Sequence, residues 1–471
     1  MVWRRRQAHG PSSRQHPSRR RTKTFLLMAA AGTVILYMVY FRLSLNSYLS
    51  LSLSPHYSHT TSATPQGDGT AVQAMVSLPM ADLFLGTPPK WRDPKRDFED
   101  EYLEVLEAVP ELRSTRRARI AFFIMAHGPT DVEMLKKSLP WLYSPNNYIL
   151  VHMDSKTADE DREEVRKLLD GLKNAKMLDP PMSVSWGGFS ITLAALYGVS
   201  TMVEWGQDWD YFINLSASDF PLMTAVEMEA AMGTFVDGRV NFVTGSAMME
   251  KNRAELYVDD QGLYRVNETR KASQPFLQRN AHLRVERPLP NLFTLFKGEF
   301  WVALHRDFCE YLHESPDNVA RSLQAYFAKF RISDESYFQT TLCHPHTPEA
   351  FPVVNDNLRH VNWPQFDPET EWVLHPDPVE SKHVAKLMNS GALFARKFEH
   401  GTSDEAWSDI ETLLAAKGDA IAQRMARVME RAAAARTVQG REALCTVPEG
   451  YDLAYILRHQ PVKKQHEEDG G

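Results

Sequence analysis

The 471-residue sequence predicts an α/β fold built on a mostly parallel central sheet. Three short apolar runs, each closed by a polar residue or a glycine, have the pattern of buried parallel strands. These runs are Ile120–Ala126, Tyr148–Met153 and Tyr211–Leu215. Helix-like spacing of apolar residues separates them over Asp131–Leu142, Asp159–Leu172 and Thr192–Trp205. This alternation predicts right-handed crossover connections and parallel strand neighbours.

Charge is distributed unevenly along the chain, although the formal net charge is only −7. Residues 1–24 hold eight Lys and Arg residues and no acidic residue, which leaves 45 basic against 60 acidic residues in the rest. A nucleic-acid-binding protein normally has the opposite excess. Hydrophobic residues at 43% also exclude a wholly disordered chain. We therefore expect a folded, acidic body with no nucleic-acid partner.

The uncharged apolar run Phe25–Phe41 follows the basic residues and predicts a transmembrane anchor. As a helix it is about 25 Å long, enough for a thin bilayer. Bulky residues end the run where a cleavage site would need small ones, so an uncleaved anchor is favoured and a cleaved signal peptide is the alternative. The positive-inside rule keeps residues 1–24 cytosolic and places the remainder in a lumen.

Residues 42–115 predict a stem between this anchor and a folded region over residues 116–400. The first part is rich in Ser and poor in charge, a composition that buries too little apolar surface to offset the entropy of ordering. A charged, helical pattern follows over Asp97–Glu107. A small domain is the alternative interpretation of this segment.

Polar side chains follow each of the three predicted strands. His127 and Gly128 come after the first strand, Asp154 after the second, and Asp219 shortly after the third. Ligands of open parallel sheets bind outside the carboxyl ends of the strands, so these residues are expected to converge on one crevice. For each residue taken singly, the alternative is a turn former or helix cap.

The segment Asp208-Trp209-Asp210 has a spacing that can hold a divalent cation against a diphosphate. Its carboxylates precede the third strand, which predicts a position at the amino end of the sheet. With a rise of about 3.3 Å per residue, that is roughly 15 Å from the crevice. We therefore do not expect a metal site there.

Three further groups in the second half are candidates for ligand contacts. Gly298 interrupts an apolar, aromatic segment and lets a ligand approach the backbone. Ser333 predicts a helix cap with Glu335 in the first turn, where an acidic residue ordinarily complements the helix dipole. Arg396 and Lys397 follow an apolar run, and either form surface ion pairs or clamp a diphosphate without a metal.

The end of the chain is expected to be helical and then disordered. Residues 401–460 predict a helical extension with an apolar stripe used for packing, and residues 461–471 a disordered tail. Three cysteines without a CxxC spacing exclude a disulfide framework or a zinc site, and Cys309 with Cys343 is the expected pair if one disulfide forms. Of two glycosylation sequons, Asn267 lies in a polar loop and is a possible acceptor, whereas Asn214 lies in a predicted buried strand.

Seven motifs, taken together, resemble the xylosyltransferase and core-two β-1,6-N-acetylglucosaminyltransferase (branching enzyme) family of inverting glycosyltransferases. They are RIAFFIMAHG, YILVHMD, WGGFSITLAAL, DWDYFINLSASDFPL, RISDESYFQTTL, NDNLRHVNW and ALFARKFE, in the family's order between Arg119 and Glu399. The likeness is strongest to the peptide O-xylosyltransferase branch. It implies a GT-A type fold, a UDP-sugar donor, and a single displacement that inverts the anomeric carbon with no essential metal or other cofactor.

The resemblance also implies roles for individual residues. Glu335 matches the catalytic base. The positions that match donor-binding residues are His127 and Gly128 at the first strand, Asp154 on the uridine, Trp186 in the WGG motif, Asp219 near the donor sugar, and Arg396 with Lys397 on the diphosphate. One carboxylate suffices in a direct displacement, because UDP leaves as an anion that fixed cations stabilise.

Substrate identity is less constrained than the reaction type. Residues Glu371–Lys382 stand where xylosyltransferases carry a Cys-rich segment, which leaves acceptor recognition open. We expect transfer of xylose or N-acetylglucosamine to a hydroxyl of a protein or glycan, although relatives also transfer glucuronic acid. With the predicted anchor, the expected location is the Golgi membrane in type II orientation, or alternatively the endoplasmic reticulum. A catalytically silent, membrane-anchored carbohydrate-binding protein is the alternative function.

Overall fold

The computed structural model describes the larger part of the chain after residue 96. The described residues are 97–248, 258–260, 278–279, 290, 292–364, 375–437 and 444–447. The predicted cytosolic tail, anchor, most of the stem, the Asn267 sequon and the tail at 461–471 lie outside these residues. Among the described helices, none combines the length and the apolar character that a bilayer span requires.

The strands and helices alternate in the first half and become more irregular in the second. In chain order the described strands are β1 Ile120–Ala126, β2 Tyr148–Met153, β3 Ala175–Met177, β4 Tyr211–Ser216, β5 Phe220–Pro221, β6 Asn241–Ala247, β7 Val258–Asp259, β8 Gln278–Arg279, β9 Phe296–His305, β10 Val353–Val354, β11 Arg359–Val361 and β12 Phe394–Arg396. The described helices are α1 Phe98–Ala108, α2 Gly128–Leu142, α3 Asp159–Leu169, α4 Phe189–Trp205, α5 Ala225–Val236, α6 Arg306–Glu314, α7 Val319–Phe327, α8 Tyr337–Leu342, α9 Ser381–Met388, α10 Asp404–Leu414 and α11 Asp419–Thr437, with 3₁₀ turns at Pro110–Ser114 and Ser333–Glu335.

The central sheet has seven strands in the order β10-β6-β9-β4-β1-β2-β3. β1 pairs in parallel with β2 and β4, β2 with β3, and β6 with β10. β9 is antiparallel to both of its neighbours, β4 and β6. The predicted α/β class with a mostly parallel sheet is therefore confirmed.

The apolar runs became strands because both faces of the sheet are covered. Phe122 and Ile124 of β1 pack into one hydrophobic cluster, and Ala121 and Phe123 pack into a second cluster on the opposite face. Successive strand residues point to opposite faces, and a parallel sheet covered on both sides needs a continuous apolar run. Asn214 in β4 is also fully buried, with its amide bonded to β9, so it presents no accessible acceptor for a glycan.

A second, three-stranded sheet joins distant parts of the sequence in the order β11-β12-β5. β11 is parallel to β12, and β12 is antiparallel to β5. Because β5 follows Asp219 directly, this sheet brings the Arg359 and Arg396 segments to the carboxyl end of β4. Strands of two or three residues have no readable period, and the sequence did not predict this sheet.

Helices on both sides of residues 116–400 contribute to the hydrophobic core. Val105 of α1 and Trp407 and Met425 of α10 and α11 belong to the same cluster as β1. A buried ion pair between Arg424 and Glu227 also joins α11 to α5, with Nε and Oε2 3.0 Å apart. These terminal helices are thus part of the folded unit.

The disulfide prediction was wrong. Cys343 is bonded to Cys445, with Cα atoms 5.2 Å apart, whereas Cys309 is a free, buried cysteine. Cys309 faces the core from α6, while Leu444 packs into the same hydrophobic cluster and brings Cys445 to the end of α8. No local pattern in the sequence indicates that the C-terminal segment returns to this helix.

Candidate functional site

The residues that follow β1, β2 and β4 lie at one edge of the sheet because these three strands are parallel. His127 is 84% exposed, and its Nδ1 lies 3.0 Å from Asp131 Oδ2. The hydrogen bond to this carboxylate raises the pKa of His127. The Gly128 N–H donates to Thr157 Oγ1 at 3.2 Å, which ties the start of α2 to the loop after β2.

Asp154 is buried and its carboxylate holds the loop after β2 together. Oδ2 accepts hydrogen bonds from Lys156 Nζ at 2.7 Å and from the Val184 N–H at 3.0 Å, and Oδ1 accepts one from the Lys156 N–H at 2.8 Å. The contact to Val184 links this loop to the segment that leads to Trp186. His127, Gly128, Asp154 and Trp186 therefore lie along one connected stretch of the edge.

The WGG motif forms the entrance to α4. The Trp186 side chain is 60% exposed. Gly187 has φ +71°, and a Cβ at Gly188 would overlap the carboxylate of Asp260, which accepts a hydrogen bond from the Ser190 N–H. Gly187 is thus required by its left-handed backbone conformation. Gly188 is required because a side chain there would collide with the carboxylate that caps the first turn of α4.

The turn that carries Glu335 is docked on this entrance. The Ile332 N–H donates to the Gly187 carbonyl at 2.7 Å, and Ser333 Oγ lies 3.1 Å from Thr192 Oγ1. The predicted cap at Ser333 was wrong: its hydroxyl bonds to α4, the segment Ser333–Glu335 is a 3₁₀ turn, and α8 begins only at Tyr337. Glu335 is half-buried and lies next to the WGG entrance.

A buried ionic cluster lies at the carboxyl end of β4. Asp219 Oδ2 accepts a hydrogen bond from the Ser216 N–H at 2.8 Å, and the carboxylate faces Arg359 Nε at 3.9 Å and Arg396 Nη1 at 3.6 Å. Two guanidinium groups therefore face one carboxylate in a site that solvent hardly reaches. Burial lowers the pKa of Arg359 to about 10.

Several polar atoms in this cluster have no hydrogen-bond partner among the described residues. They are Asp219 Oδ1, Arg359 Nε and Nη1, and Arg396 Nη1. Buried polar atoms in folded proteins are nearly always paired, so a group of unpaired ones in one place calls for an explanation. The unpaired donors of two buried guanidinium groups favour an anionic ligand.

Trp301 of β9 lies beside both arginines. Its ring is 4.0 Å from the Arg396 guanidinium carbon and 4.9 Å from that of Arg359, as in cation–π contacts. The 3₁₀ turn with Glu335 packs against the same strand. β9 thus carries the Trp301 indole ring, which orients the two guanidinium groups. The same strand supports the turn that positions the Glu335 carboxylate.

Two predicted donor-site residues have other contacts. Lys397 does not join the cluster, because its ammonium pairs with Glu399 Oε1 at 3.1 Å. At Gly298 a Cβ would overlap the Thr244 carbonyl oxygen of β6, so the close approach of two strands explains this glycine without a ligand. The structure gives no separate reason to place Gly298 at the site.

The Asp208 and Asp210 carboxylates lie at the amino end of β4, as predicted. Asp210 accepts a hydrogen bond from the Arg119 N–H at 2.8 Å and pairs with Arg116, and Asp208 accepts one from Tyr148 Oη at 2.6 Å and pairs with Arg119. Within the described ranges no group of three or more His, Cys, Asp or Glu side chains is placed to hold a metal ion.

Sequence reasoning missed four residues of the site. They are Arg359 and Trp301 of the buried cluster, together with Glu299 and Asn357, whose side chains are joined by a hydrogen bond of 2.6 Å from Asn357 Nδ2 to Glu299 Oε2 next to Arg359. Arg359 lies in the NDNLRHVNW motif, and its place in that motif was the available signal. Without the three-stranded sheet, however, nothing in the sequence relates it to Asp219.

Comparison with known proteins identifies the family. The sequence model of the Core-2/I-branching enzyme family matches residues 120–387, more than half of the chain, so the chain belongs to this family. This confirms the family that the seven motifs indicated.

Individual relatives include proteins named as glucuronosyltransferases and proteins named as xylosyltransferases. The chain is 31% identical to β-glucuronosyltransferase GlcAT14A of Arabidopsis thaliana over 59% of this chain and 60% of that protein. It is 28% identical to a xylosyltransferase of Ciona intestinalis over 63% and 34%, and 25% identical to xylosyltransferase 1 of Homo sapiens over 67% and 32%. The matched region thus spans less than two thirds of each of these relatives.

Proposed function

We propose that the protein transfers a sugar from a UDP-sugar to a hydroxyl group by a single inverting displacement. The observation that carries this proposal is the buried cluster of Asp219, Arg359 and Arg396, in which donor atoms of both guanidinium groups lack hydrogen-bond partners among the described residues. Membership in a family that contains named glycosyltransferases supports it. A GT-A type fold is part of the same proposal.

The cluster is suited to a leaving diphosphate. When the bond to the anomeric carbon breaks, negative charge accumulates on the β-phosphate oxygen. Donors that are already fixed around that position stabilise the charge without reorganisation, and do so most strongly where water is excluded. Arg396 is held by Trp301, and Arg359 by a bond from Nη2 to the Asn214 carbonyl at 2.9 Å. When the diphosphate binds, the Lys397 ammonium group leaves its ion pair with Glu399 and contacts the diphosphate beside the two arginines.

Glu335 is proposed as the general base. It removes the proton from the acceptor hydroxyl as the oxygen attacks the anomeric carbon on the face opposite UDP. Docking of its turn on the WGG entrance supports a place beside the donor sugar, and Trp186 in the same entrance is proposed to contact that sugar. His127, Gly128 and Asp154 are proposed to line the nucleotide part of the edge.

We propose that no metal ion is needed. Two guanidinium groups already supply the positive charge that a divalent cation would bring to the diphosphate. The Asp208 and Asp210 carboxylates are engaged by arginines at the other end of β4, which supports a structural role for them.

The donor and the acceptor are proposed as classes. UDP-xylose and UDP-N-acetylglucosamine are the expected donors, UDP-glucuronic acid is the alternative suggested by the names of some relatives, and the acceptor is a protein or glycan hydroxyl. A luminal Golgi location follows from the anchor predicted at residues 25–41, which lie outside the described residues.

The test compares binding and turnover in the full-length protein and in the Glu335→Gln variant. We expect both to bind UDP with equal affinity by calorimetry, and the variant to lose transfer and donor hydrolysis by at least about a hundredfold. Near-normal turnover of a folded Glu335→Gln protein would exclude the general-base role. Loss of turnover in EDTA with recovery in Mn²⁺ would exclude metal independence. UDP-sugar binding with no turnover by the unmodified protein would instead support the carbohydrate-binding alternative.

A further inference from the structure

Glu299 extends the cluster toward the open part of the edge. It lies on β9 two residues before Trp301, in the stretch between Gly298 and Val302 where the pairing of β9 with β6 is irregular. Its Oε2 accepts a hydrogen bond from Asn357 Nδ2 at 2.6 Å, and Asn357 Oδ1 in turn accepts one from the Arg359 N–H at 3.1 Å. The carboxylate is therefore positioned by the same loop that positions the buried arginine.

The charge of Glu299 acts on this arginine but is not neutralised by an ion pair. Glu299 raises the pKa of Arg359 by charge attraction, a smaller effect than the lowering by burial. Among the described residues its Oε1 has no hydrogen-bond donor, and the side chain is half-buried. One oxygen is thus fixed by an amide, while the other is available to a ligand at the edge of the cluster.

We infer that Glu299, positioned by Asn357, selects the donor sugar: it accepts a hydrogen bond from a hydroxyl of a neutral sugar and excludes a sugar that carries a carboxylate. The inference rests on the proposed function, because it takes the diphosphate to lie on Arg359 and Arg396. A sugar attached to that diphosphate lies within reach of a carboxylate bonded to the same loop. In a half-buried site, repulsion between two carboxylates disfavours a donor sugar more strongly than the loss of one hydrogen bond does.

The chemistry separates the two classes of donor named above. Xylose and N-acetylglucosamine are neutral and rich in hydroxyl donors. Glucuronic acid carries a carboxylate on its ring, which is repelled by the negative charge of Glu299 and Asp219. A neutral UDP-sugar is therefore expected to be the substrate of this chain.

The test measures dissociation constants of the full-length protein for UDP, UDP-xylose, UDP-N-acetylglucosamine and UDP-glucuronic acid by calorimetry. We expect UDP-glucuronic acid to bind at least tenfold more weakly than one of the neutral donors. In Glu299→Gln, which keeps the shape and the hydrogen bond to Asn357, this ratio should fall at least fivefold while the affinity for UDP changes less than twofold. Glu349→Gln removes an exposed carboxylate elsewhere and should leave the ratio unchanged.

A second variant separates positioning from charge. Asn357→Ala releases Glu299 without removing its charge, so the neutral donors should bind several-fold more weakly while UDP-glucuronic acid is still rejected. Equal or tighter binding of UDP-glucuronic acid by the unmodified protein, or an unchanged ratio in a folded Glu299→Gln protein, would overturn the inference and leave the proposed function intact. Failure of UDP itself to bind would overturn both.

Discussion

Asp210 and Asp219 lie at opposite ends of β4, and each faces arginine side chains. At the amino end, the Asp208 and Asp210 carboxylates accept hydrogen bonds from Tyr148 and from the Arg119 backbone and pair with Arg119 and Arg116. At the carboxyl end, one carboxylate faces two buried guanidinium groups, and within the described residues three guanidinium nitrogens and one carboxylate oxygen have no hydrogen-bond partner.

The two ends show that residue type alone does not distinguish a structural cluster from a binding site. Aspartate and arginine side chains meet at both ends, and the amino end also has the Asp208-Trp209-Asp210 spacing that can hold a divalent cation. The difference is in hydrogen bonding: a cluster whose polar atoms are paired stabilises the fold, whereas one with unpaired buried donors costs stability and is retained where a ligand completes it.

The largest expected effect comes from removing the buried cation at the carboxyl end. Arg359→Met should weaken UDP binding by about 3 kcal/mol, roughly a hundredfold, because a desolvated charge that meets a phosphate contributes strongly to affinity. Arg116→Met removes a cation from the amino end and should leave the affinity for UDP unchanged. Calorimetry on both variants, with thermal melting to confirm folding, makes the comparison.

Equal loss of affinity in the two variants would show that overall charge, rather than the cluster, determines UDP binding. An unchanged dissociation constant in a folded Arg359→Met protein would remove this residue from the proposed site.

The sequence allowed prediction of the elements whose pattern is local. β1, β2 and β4 were predictable because a sheet covered on both faces demands continuous apolar runs, and the residues at their carboxyl ends followed from the parallel topology. Arg396 and Glu335 were predicted by resemblance, since an arginine at the end of a three-residue strand and a glutamate in a turn have no pattern of their own.

The parts that were missed depend on contacts between distant segments. Arg359 reaches Asp219 only through the three-stranded sheet, and Cys445 reaches Cys343 only because Leu444 is buried in the core. The Glu335 turn is preceded by Ile332 at φ +55°, a left-handed conformation that a β-branched residue rarely adopts and that no propensity argument anticipates. The surrounding contacts to Gly187 impose it.

A smaller effect is expected from the third cation at the carboxyl end. Lys397 pairs with Glu399, and we expect it to exchange this partner for the diphosphate. Glu399→Gln should then tighten UDP binding about two- to threefold, since a half-exposed ion pair is worth less than about 1 kcal/mol. The gain should disappear when Lys397→Gln is also present. Persistence of the gain in the double variant would show that Lys397 does not contact UDP.

The smallest expected effects are on the pH dependence of the free energy of unfolding. Histidines at the two ends of the central sheet should contribute with opposite sign. At the carboxyl end, the bond to Asp131 raises the pKa of His127, so the protonated form is favoured by folding. This contribution is complete below the unfolded pKa of about 6.5 and is lost as the pH rises through the higher folded value. Because the ring is largely exposed, the change in free energy of unfolding should stay below about 1 kcal/mol.

At the amino end the opposite holds for His305. Burial lowers its pKa, so the folded state favours the neutral ring, whose Nδ1 accepts the Asp307 N–H at 3.2 Å. The unfolded chain binds a proton first as the pH falls below about 6.5, and stability is lost in that range. Urea titrations between pH 5 and 8 should show that His127→Gln flattens the upper part of the profile and His305→Gln the lower part. If both variants flattened the same part, the two histidines would share one electrostatic environment, and the contrast between the ends of β4 would not extend to their titration.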